Sequence, residues 1–470
     1  MERDLWRWDA VDLAAAIRTR RISSHDATRA VLERLASVNP AVNAVTVLLA
    51  DQALAAAERA DAAVRRGEAL GPLHGVPVTI KENIDQEGVA TPNGVPAFKD
   101  LVAKSDSPPV ANWRRAGAVI VGRTNTPAFS LRWHTDNELR GRTYNPWNRA
   151  RTPGGSSGGA AAALAVGIAP LAHGNDLGGS IRYPAYCCGV AGIRPTLGRV
   201  PAYNQTAAEE RPPGTQLMSV QGPLARRVRD VRLGLAAMSA RDPRDPWWAP
   251  APLVGEPVAR PIRVALTVDP AKQGVHADVA AAVRAAGNAL ANAGYAVEEV
   301  EPPDVEAVAT TWATLCINEM RHVTQPYIRQ YGGADINRSL DFTLAAVPDV
   351  DLDGYLKALA LRAKHVRDWT LFMERYPLVV GPVSTEPPFE VGFDTTTAER
   401  HAEATRAQRL LVAVNLLGFP AVSVPTGVAG GLPLGVQVIG TRYREDLCLD
   451  AAEVIEAQRP LPTPIEPVMH

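Results

Sequence analysis

Apolar positions recur at helical spacing early in the chain. Val31, Leu32, Leu35 and Val38 follow a Ser23-Ser24-His25-Asp26 capping signal, which predicts a helix that begins there and runs until Pro40. A second, alanine-rich helix is predicted over 49–66. Gly71-Pro72 breaks the pattern, and the β-branched run 76–80 that follows predicts a strand. Short apolar runs bounded by glycine or proline predict further strands at 118–121, 264–268, 378–380, 421–424 and 435–439, and a helix over 277–293 should end at Gly294. Residues 1–66 therefore read as an N-terminal helical layer and 67–470 as an α/β domain, in which strand, loop and helix alternate. The proline-rich, aperiodic stretch 240–262 is either an interdomain linker or a long surface crossing.

Length and composition narrow the class only a little. At about 150 residues per domain, 470 residues suggest roughly three domains, yet one large α/β unit is equally admissible. A net charge of -1 offers nothing to attract nucleic acid or anionic lipid. Residues 1–10 alternate charge and tryptophan without a signal-peptide core, and no later run is apolar enough to span a bilayer, so a cytoplasmic protein is expected. Cys187 and Cys188 are adjacent while Cys316 and Cys448 stand alone, which is neither a disulfide framework nor a zinc spacing. All four read as reduced, buried, small apolar residues.

The densest signal is glycine. Gly154-Gly155-Ser156-Ser157-Gly158-Gly159 and Gly174-Asn175-Asp176-Leu177-Gly178-Gly179-Ser180 flank an alanine-rich segment of helix length, 160–170. A loop, helix, loop unit of this kind can return the second serine to the first. Glycines let backbone N–H groups approach a ligand, and Leu177, Gly178, Gly179 and Ser180 present consecutive donors suited to an oxyanion. Glycine-serine clusters are commonly plain turns, and two sharper alternatives fit poorly. A phosphate loop fails because neither cluster carries the required Gly-Lys-[Ser/Thr]. Ser156 and Ser157 each satisfy G-x-S-x-G, but a nucleophile elbow needs a buried strand before it, and 148–153 is charged and proline-broken.

A serine hydroxyl needs a base. No histidine, His173 included, has a distinctive context. Lysine occurs only at 81, 99, 104, 272, 357 and 364 in a chain otherwise rich in arginine. Arginine stays protonated near neutral pH, whereas a lysine in a dry site can lose its proton. Lys81 alone follows an apolar strand directly; the others lie in polar or helical surroundings typical of solvated side chains.

These residues resemble the amidase signature family. The likeness rests on Gly75-Val76-Pro77-Val78-Thr79-Ile80-Lys81-Glu82-Asn83, on both glycine-serine motifs through Arg182, on Gln221-Gly222-Pro223-Leu224-Ala225-Arg226, and on Gly418-Phe419-Pro420-Ala421 with Gly435-Val436-Gln437. The resemblance covers nearly the whole chain. It implies a single large mixed β-sheet covered by helices on both faces. It also implies a Ser-Ser-Lys triad, with Lys81 as base, Ser156 as bridge on a cis peptide after Gly155, and Ser180 as nucleophile. Leu177, Gly178, Gly179 and Ser180 map onto the oxyanion hole, and Asp176 and Arg182 onto supporting positions. Two positions depart from the pattern: Asn175 stands where threonine is common, and Ala128 where an acidic residue often follows Thr124-Asn125.

The implied activity is hydrolysis of a carbon–nitrogen amide bond through an acyl-serine intermediate, with no metal or organic cofactor. Esters and carbamates present a similar planar acyl carbon. The expected substrate is a small aryl or aliphatic amide, and the expected assembly a monomer or homodimer that binds neither nucleic acid nor membrane. Phe129, Trp133, Tyr144 and Tyr203, with Trp312 and Ile317, are the candidates for an apolar pocket, although aromatics in a chain of this size more often form core. The aperiodic segment 202–214 suits a surface loop near the site. The alternative function is the glutamine-hydrolysing component of a tRNA-dependent amidotransferase, which the near-neutral charge and proline-rich crossing do not favour.

Overall fold

The structure, a computed structural model, describes residues 4–468; positions 1–3 of the N-terminal layer and 469–470 of the α/β domain lie outside the described residues. Eleven strands form one sheet: β1 (Val45–Leu48), β2 (Pro77–Lys81), β3 (Val119–Thr124), β4 (Leu171–Asp176), β5 (Ala191–Arg194), β6 (Val220–Ala225), β7 (Arg263–Leu266), β8 (Ala296–Glu299), β9 (Leu378–Pro382), β10 (Ala421–Ala429) and β11 (Leu432–Gly440). Their spatial order is β1-β3-β2-β4-β6-β5-β10-β11-β9-β7-β8. The sheet is mixed: β2 runs parallel to β3 and β4, and β7 to β8 and β9, while the remaining pairs are antiparallel.

Successive side chains on a strand face opposite ways, and here both faces are covered. Leu378 and Val380 of β9 pack into one apolar cluster and Val379 into another; Leu171 and Ala172 of β4 divide in the same way. This explains why the central strands read as short continuous apolar runs without alternation.

All six predicted strands are present. Five others were not predicted, each for a local reason. β4 carries Gly174 and Asn175, β6 carries Gly222 and Pro223, and β1, β5 and β8 are only four residues long. The capped helix spans Ser24–Val42: Ser23 Oγ accepts the Asp26 N–H at 2.9 Å. It continues through Pro40, placed in its last turn, before Asn43 ends it in a left-handed conformation. Helices Ala50–Arg66 and Ala277–Asn292 match expectation, the latter followed by Gly294 at φ 90°. The N-terminal layer is not purely helical, because β1 leaves it to pair with β3 at the sheet edge.

The 240–262 stretch is a surface crossing fastened at its middle, where the Arg199 guanidinium donates to the Ala251 and Pro252 carbonyls at 2.6 and 2.9 Å. Strands before and after it belong to the same sheet. Among the described residues, no helix is long and apolar enough to cross a membrane.

Three adjacent parallel strands decide where chemistry can occur. The carboxyl ends of β3, β2 and β4 place Thr124, Lys81 and Asp176 side by side, the usual position for a site in an open sheet with parallel strands. Asp176 is pinned there by a fully buried ion pair with Arg182, whose Nε and second amino nitrogen each donate to the carboxylate at 3.1 Å. Arg182 also donates to Gln437 Oε1 at 2.8 Å, Asn415 Oδ1 at 2.6 Å and the Leu411 carbonyl at 3.0 Å, which ties the turn to β11 and to helix Arg409–Leu417.

Arg182→Met removes the ion-pair partner of a buried carboxylate and should lower stability by about 3–5 kcal/mol, read from urea unfolding. A milder loss is expected at the N-terminal layer. There the Asp230 carboxylate caps helix Ala10–Arg18 by accepting the Ala10 and Val11 N–H groups at 2.9 and 3.0 Å, so Asp230→Ala should cost about 1–2 kcal/mol in the same assay.

Candidate active site

The first glycine motif folds tightly around Ser156. Gly154 has φ 77°, and the Gly155–Ser156 peptide is cis. A Cβ on Gly155 would lie 2.3 Å from the Arg132 carbonyl oxygen, so only glycine fits. Helix Gly158–Ala165 follows and β4 brings the chain back. The Ser157 N–H then donates to the Ser180 carbonyl at 3.2 Å, fastening the two serine turns together. Ser156 is almost fully buried, whereas Ser180 is half-buried and lines a cleft.

Lys81 reaches this junction from the end of β2. Its Nζ stands 2.7 Å from Ser156 Oγ and donates to Asn175 Oδ1, also at 2.7 Å. The side chain is completely buried, and burial pushes its pKa well below the ordinary lysine value, against a smaller opposing pull from Asp176. Burial alone would raise the Asp176 carboxyl; the Arg182 and Arg194 guanidiniums and the Asn415 amide outweigh it and hold that group below the usual carboxylate range. Ser157 does not share the contact, since its buried hydroxyl has no partner among the described residues.

Asn175 itself is fixed by a reciprocal amide pair. Its Nδ2 donates to Asn83 Oδ1 at 3.0 Å, and Asn83 Nδ2 donates back at 3.3 Å. Asn83 also donates to Ser130 Oγ at 2.9 Å. Sequence reasoning missed Asn83 and Ser130, and it marked Asn175 only as a departure. Neither position carried a periodic signal, because Asn83 lies in the turn that follows β2.

The turn after Asp176 holds its carbonyls and N–H groups apart. The Leu177 carbonyl accepts the Trp312 Nε1–H at 3.1 Å, and the Gly178 carbonyl accepts the Trp133 Nε1–H at 2.8 Å. Gly179 N–H, expected among the oxyanion donors, here donates to Asp176 Oδ1 at 2.8 Å and so shapes the turn. Among the described residues, no protein group accepts the N–H of Leu177, Gly178 or Ser180. Gly179, at φ 94°, also leaves no room for a side chain, since a Cβ would lie 1.9 Å from Leu411 Cδ2.

The cleft beside Ser180 is walled by Trp133, Leu177, Trp312, Cys316, Ile317 and Met320. Farther along it, Thr343 and His401 pair at 3.1 Å, and Arg132 is locked to Asp394 by hydrogen bonds of 2.8 and 2.9 Å. Trp133, Trp312 and Ile317 therefore line the cleft, and three other candidates stand apart from its lining. Phe129 packs edge-on against Phe98, Tyr144 is covered by the guanidiniums of Arg142 and Arg149, and Tyr203 lies under Arg244. An aromatic ring beside arginines finds its partner on the surface, which an aromatic count in sequence cannot reveal.

The segment 202–214 is tied at both ends. Asn204 Nδ2 donates to the Asn83 carbonyl at 3.0 Å and Thr206 Oγ1 to Asp85 at 2.6 Å, while the Glu319 carboxylate accepts the N–H groups of Gly214 at 2.5 Å and Thr215 at 2.7 Å. All four cysteines are free and buried, as expected. Among the described residues, no group of His, Cys, Asp or Glu side chains could hold a metal ion.

Similarity to known proteins runs along nearly the whole chain. The Amidase family model matches residues 26–449. An indoleacetamide hydrolase of Bradyrhizobium diazoefficiens is 50% identical over 96% of this chain and 86% of its own length. The glutamyl-tRNA(Gln) amidotransferase subunit of Moorella thermoacetica is 33% identical over 96% of this chain and 97% of its own. Among solved structures, a bacterial aryl acylamidase of the amidase signature family superposes with a TM-score of 0.84 at 27% identity over 97% of both chains. A 6-aminohexanoate cyclic dimer hydrolase gives 0.83 at 27% identity over 98% of both. With the mixed sheet and both glycine-serine motifs in place, the chain belongs to the amidase family.

Proposed function

We propose that this amidase hydrolyses a small amide bearing an aromatic group, with Ser180 as nucleophile, Ser156 as proton bridge and Lys81 as base. The observation that carries the reading is the 2.7 Å approach of a fully buried Lys81 amine to Ser156 Oγ. A neutral amine in a dry site has a lone pair to offer, and the N–H donated to Asn175 leaves that lone pair free to face the serine.

In the proposed cycle Lys81 takes the Ser156 proton as Ser156 takes that of Ser180. The Ser180 oxygen then bonds to the amide carbon. The free N–H groups of Leu177, Gly178 and Ser180 supply donors for the oxyanion. The relayed proton passes to the leaving nitrogen as the C–N bond breaks, leaving an acyl-Ser180 ester. Water, deprotonated by the same relay, attacks the ester and releases the acid.

Two observations favour an aromatic acyl group. The cleft wall beside Ser180 is apolar and holds two tryptophans, and the relative at 50% identity is named an indoleacetamide hydrolase. Indoleacetamide is therefore the first substrate to test, beside anilides, esters and carbamates. The amidotransferase reading stands lower, at 33% identity, and the Arg132 and Asp394 side chains farther along the cleft, which could meet the charged end of glutamine, are already paired with each other.

Replacing Lys81, Ser156 or Ser180 singly by alanine should lower kcat by about 10³-fold or more, and rapid quenching of wild-type enzyme should trap the acyl mass on Ser180. A Lys81→Ala enzyme near wild-type turnover, or an adduct on another serine, would refute the scheme. The pH profile has a definite sign. Activity requires neutral Lys81, so kcat/KM should rise with pH and level off, with a midpoint well below the value of about 10.4 for a free lysine, because burial favours the neutral form.

A further inference from the structure

Trp312 and Trp133 stand in the cleft wall, where a substrate ring would touch them, yet each indole N–H points at the backbone of the nucleophile turn. Their acceptors are consecutive carbonyls, those of Leu177 and Gly178. The peptide bonds of this turn are trans, and a trans peptide directs its N–H opposite to its C=O. Fixing a carbonyl therefore fixes where the following N–H points.

We infer that Trp312 is a positioning residue for the oxyanion hole: by holding the Leu177 carbonyl it orients the Gly178 N–H, so that one wall of the substrate cleft also sets the geometry of the reaction. The next peptide is held twice. Trp133 grips the Gly178 carbonyl on one side, and Asp176 Oδ1 accepts the Gly179 N–H at 2.8 Å on the other. The Gly178 N–H has no protein acceptor among the described residues, so the Trp312 bond is the restraint on its direction. Packing assists it: a Cβ on Gly178 would lie 2.9 Å from Trp312 Cζ2, so the indole lies flush against bare backbone. The two tryptophans are thus unequal, and the single hold by Trp312 matters more to catalysis than the redundant one by Trp133.

The inference rests on the assignment of Ser180 as nucleophile, which a separate measurement checks. Wild-type enzyme treated with an aryl phosphonate should gain the phosphonyl mass on Ser180; no label there would overturn the assignment itself. The clamp is tested with Trp312→Phe, which keeps an aromatic wall but lacks the N–H. Three quantities are compared: kcat on an aryl amide, affinity for an arylboronic acid that forms a tetrahedral serine adduct, and affinity for the matching aryl alcohol that only fills the cleft. A lost oxyanion donor typically costs about 10²–10³ in rate, so a loosened one should lower kcat and boronate affinity together by about tenfold or more. Alcohol affinity should stay within about twofold, and Trp133→Phe should have the smaller effect. Unchanged kcat and boronate affinity in Trp312→Phe would overturn the clamp, as would an alcohol affinity that falls in step, because that marks a wall residue alone. Should Trp312→Phe fold poorly, the benzothiophene analogue of tryptophan at 312 keeps the shape without the N–H and decides by the same three readings.

Discussion

An amine removed from water is the constraint on which the site depends. A charged ammonium at Lys81 would forfeit most of its hydration, and the Asp176 carboxylate that would compensate is already engaged by Arg182, Asn415 and the Gly179 N–H. The neutral form is therefore favoured by what the neighbourhood withholds. Dryness comes from architecture: β2 is buried along its whole length, and its Val78 and Ile80 pack among helix side chains such as Leu13, Ile17, Val110 and Trp113. The Asp176–Arg182 pair has a double effect, since it shapes the turn that carries Ser180 and occupies a charge that would otherwise hold a proton on Lys81.

The legible part of this arrangement was the part written in unusual residues. A lysine directly after an apolar strand, in a chain with few lysines and many arginines, pointed to Lys81 on physical grounds, and the paired glycine-serine motifs pointed to two turns that meet. Less legible was anything fixed by pairing across the sheet. β4 carries Asn175 and Asp176 into the site yet reads as a loop, because a strand buried on both faces between partners tolerates glycine and polar residues that local propensity counts against it. Gly179 shows the same limit at one atom. Sequence locates the N–H groups of a turn but not which of them a neighbouring carboxylate will take. Among the aromatics, Trp133 and Trp312 could not be told from Tyr144 or Tyr203 by composition, since the difference lies in which side of the fold each ring meets.

The cleft is braced by elements far apart in sequence. Helix Val305–Glu319 supplies Trp312, Cys316 and Ile317 to the wall, and its last residue grips the end of the 202–214 segment. The beginning of that segment is fastened to Asn83 and Asp85, just beyond β2. One connected set of hydrogen bonds thus runs from beneath the lysine, through Asn83, to the segment whose far end rests on the helix that forms the wall.

The orientation of Lys81 also depends on strand register. Its amine meets Ser156 because Val78 pairs with Leu171 and Lys81 with Thr124, which fixes which side chains of β2 point to which face. With a period of two, gain or loss of one residue inside β2 would turn Lys81 to the opposite side and put Ile80 or Glu82 in its place. Between the irregularity at Val78/Thr79 and the strand end, the chain holds an odd-even count that no local substitution can restore once it is shifted.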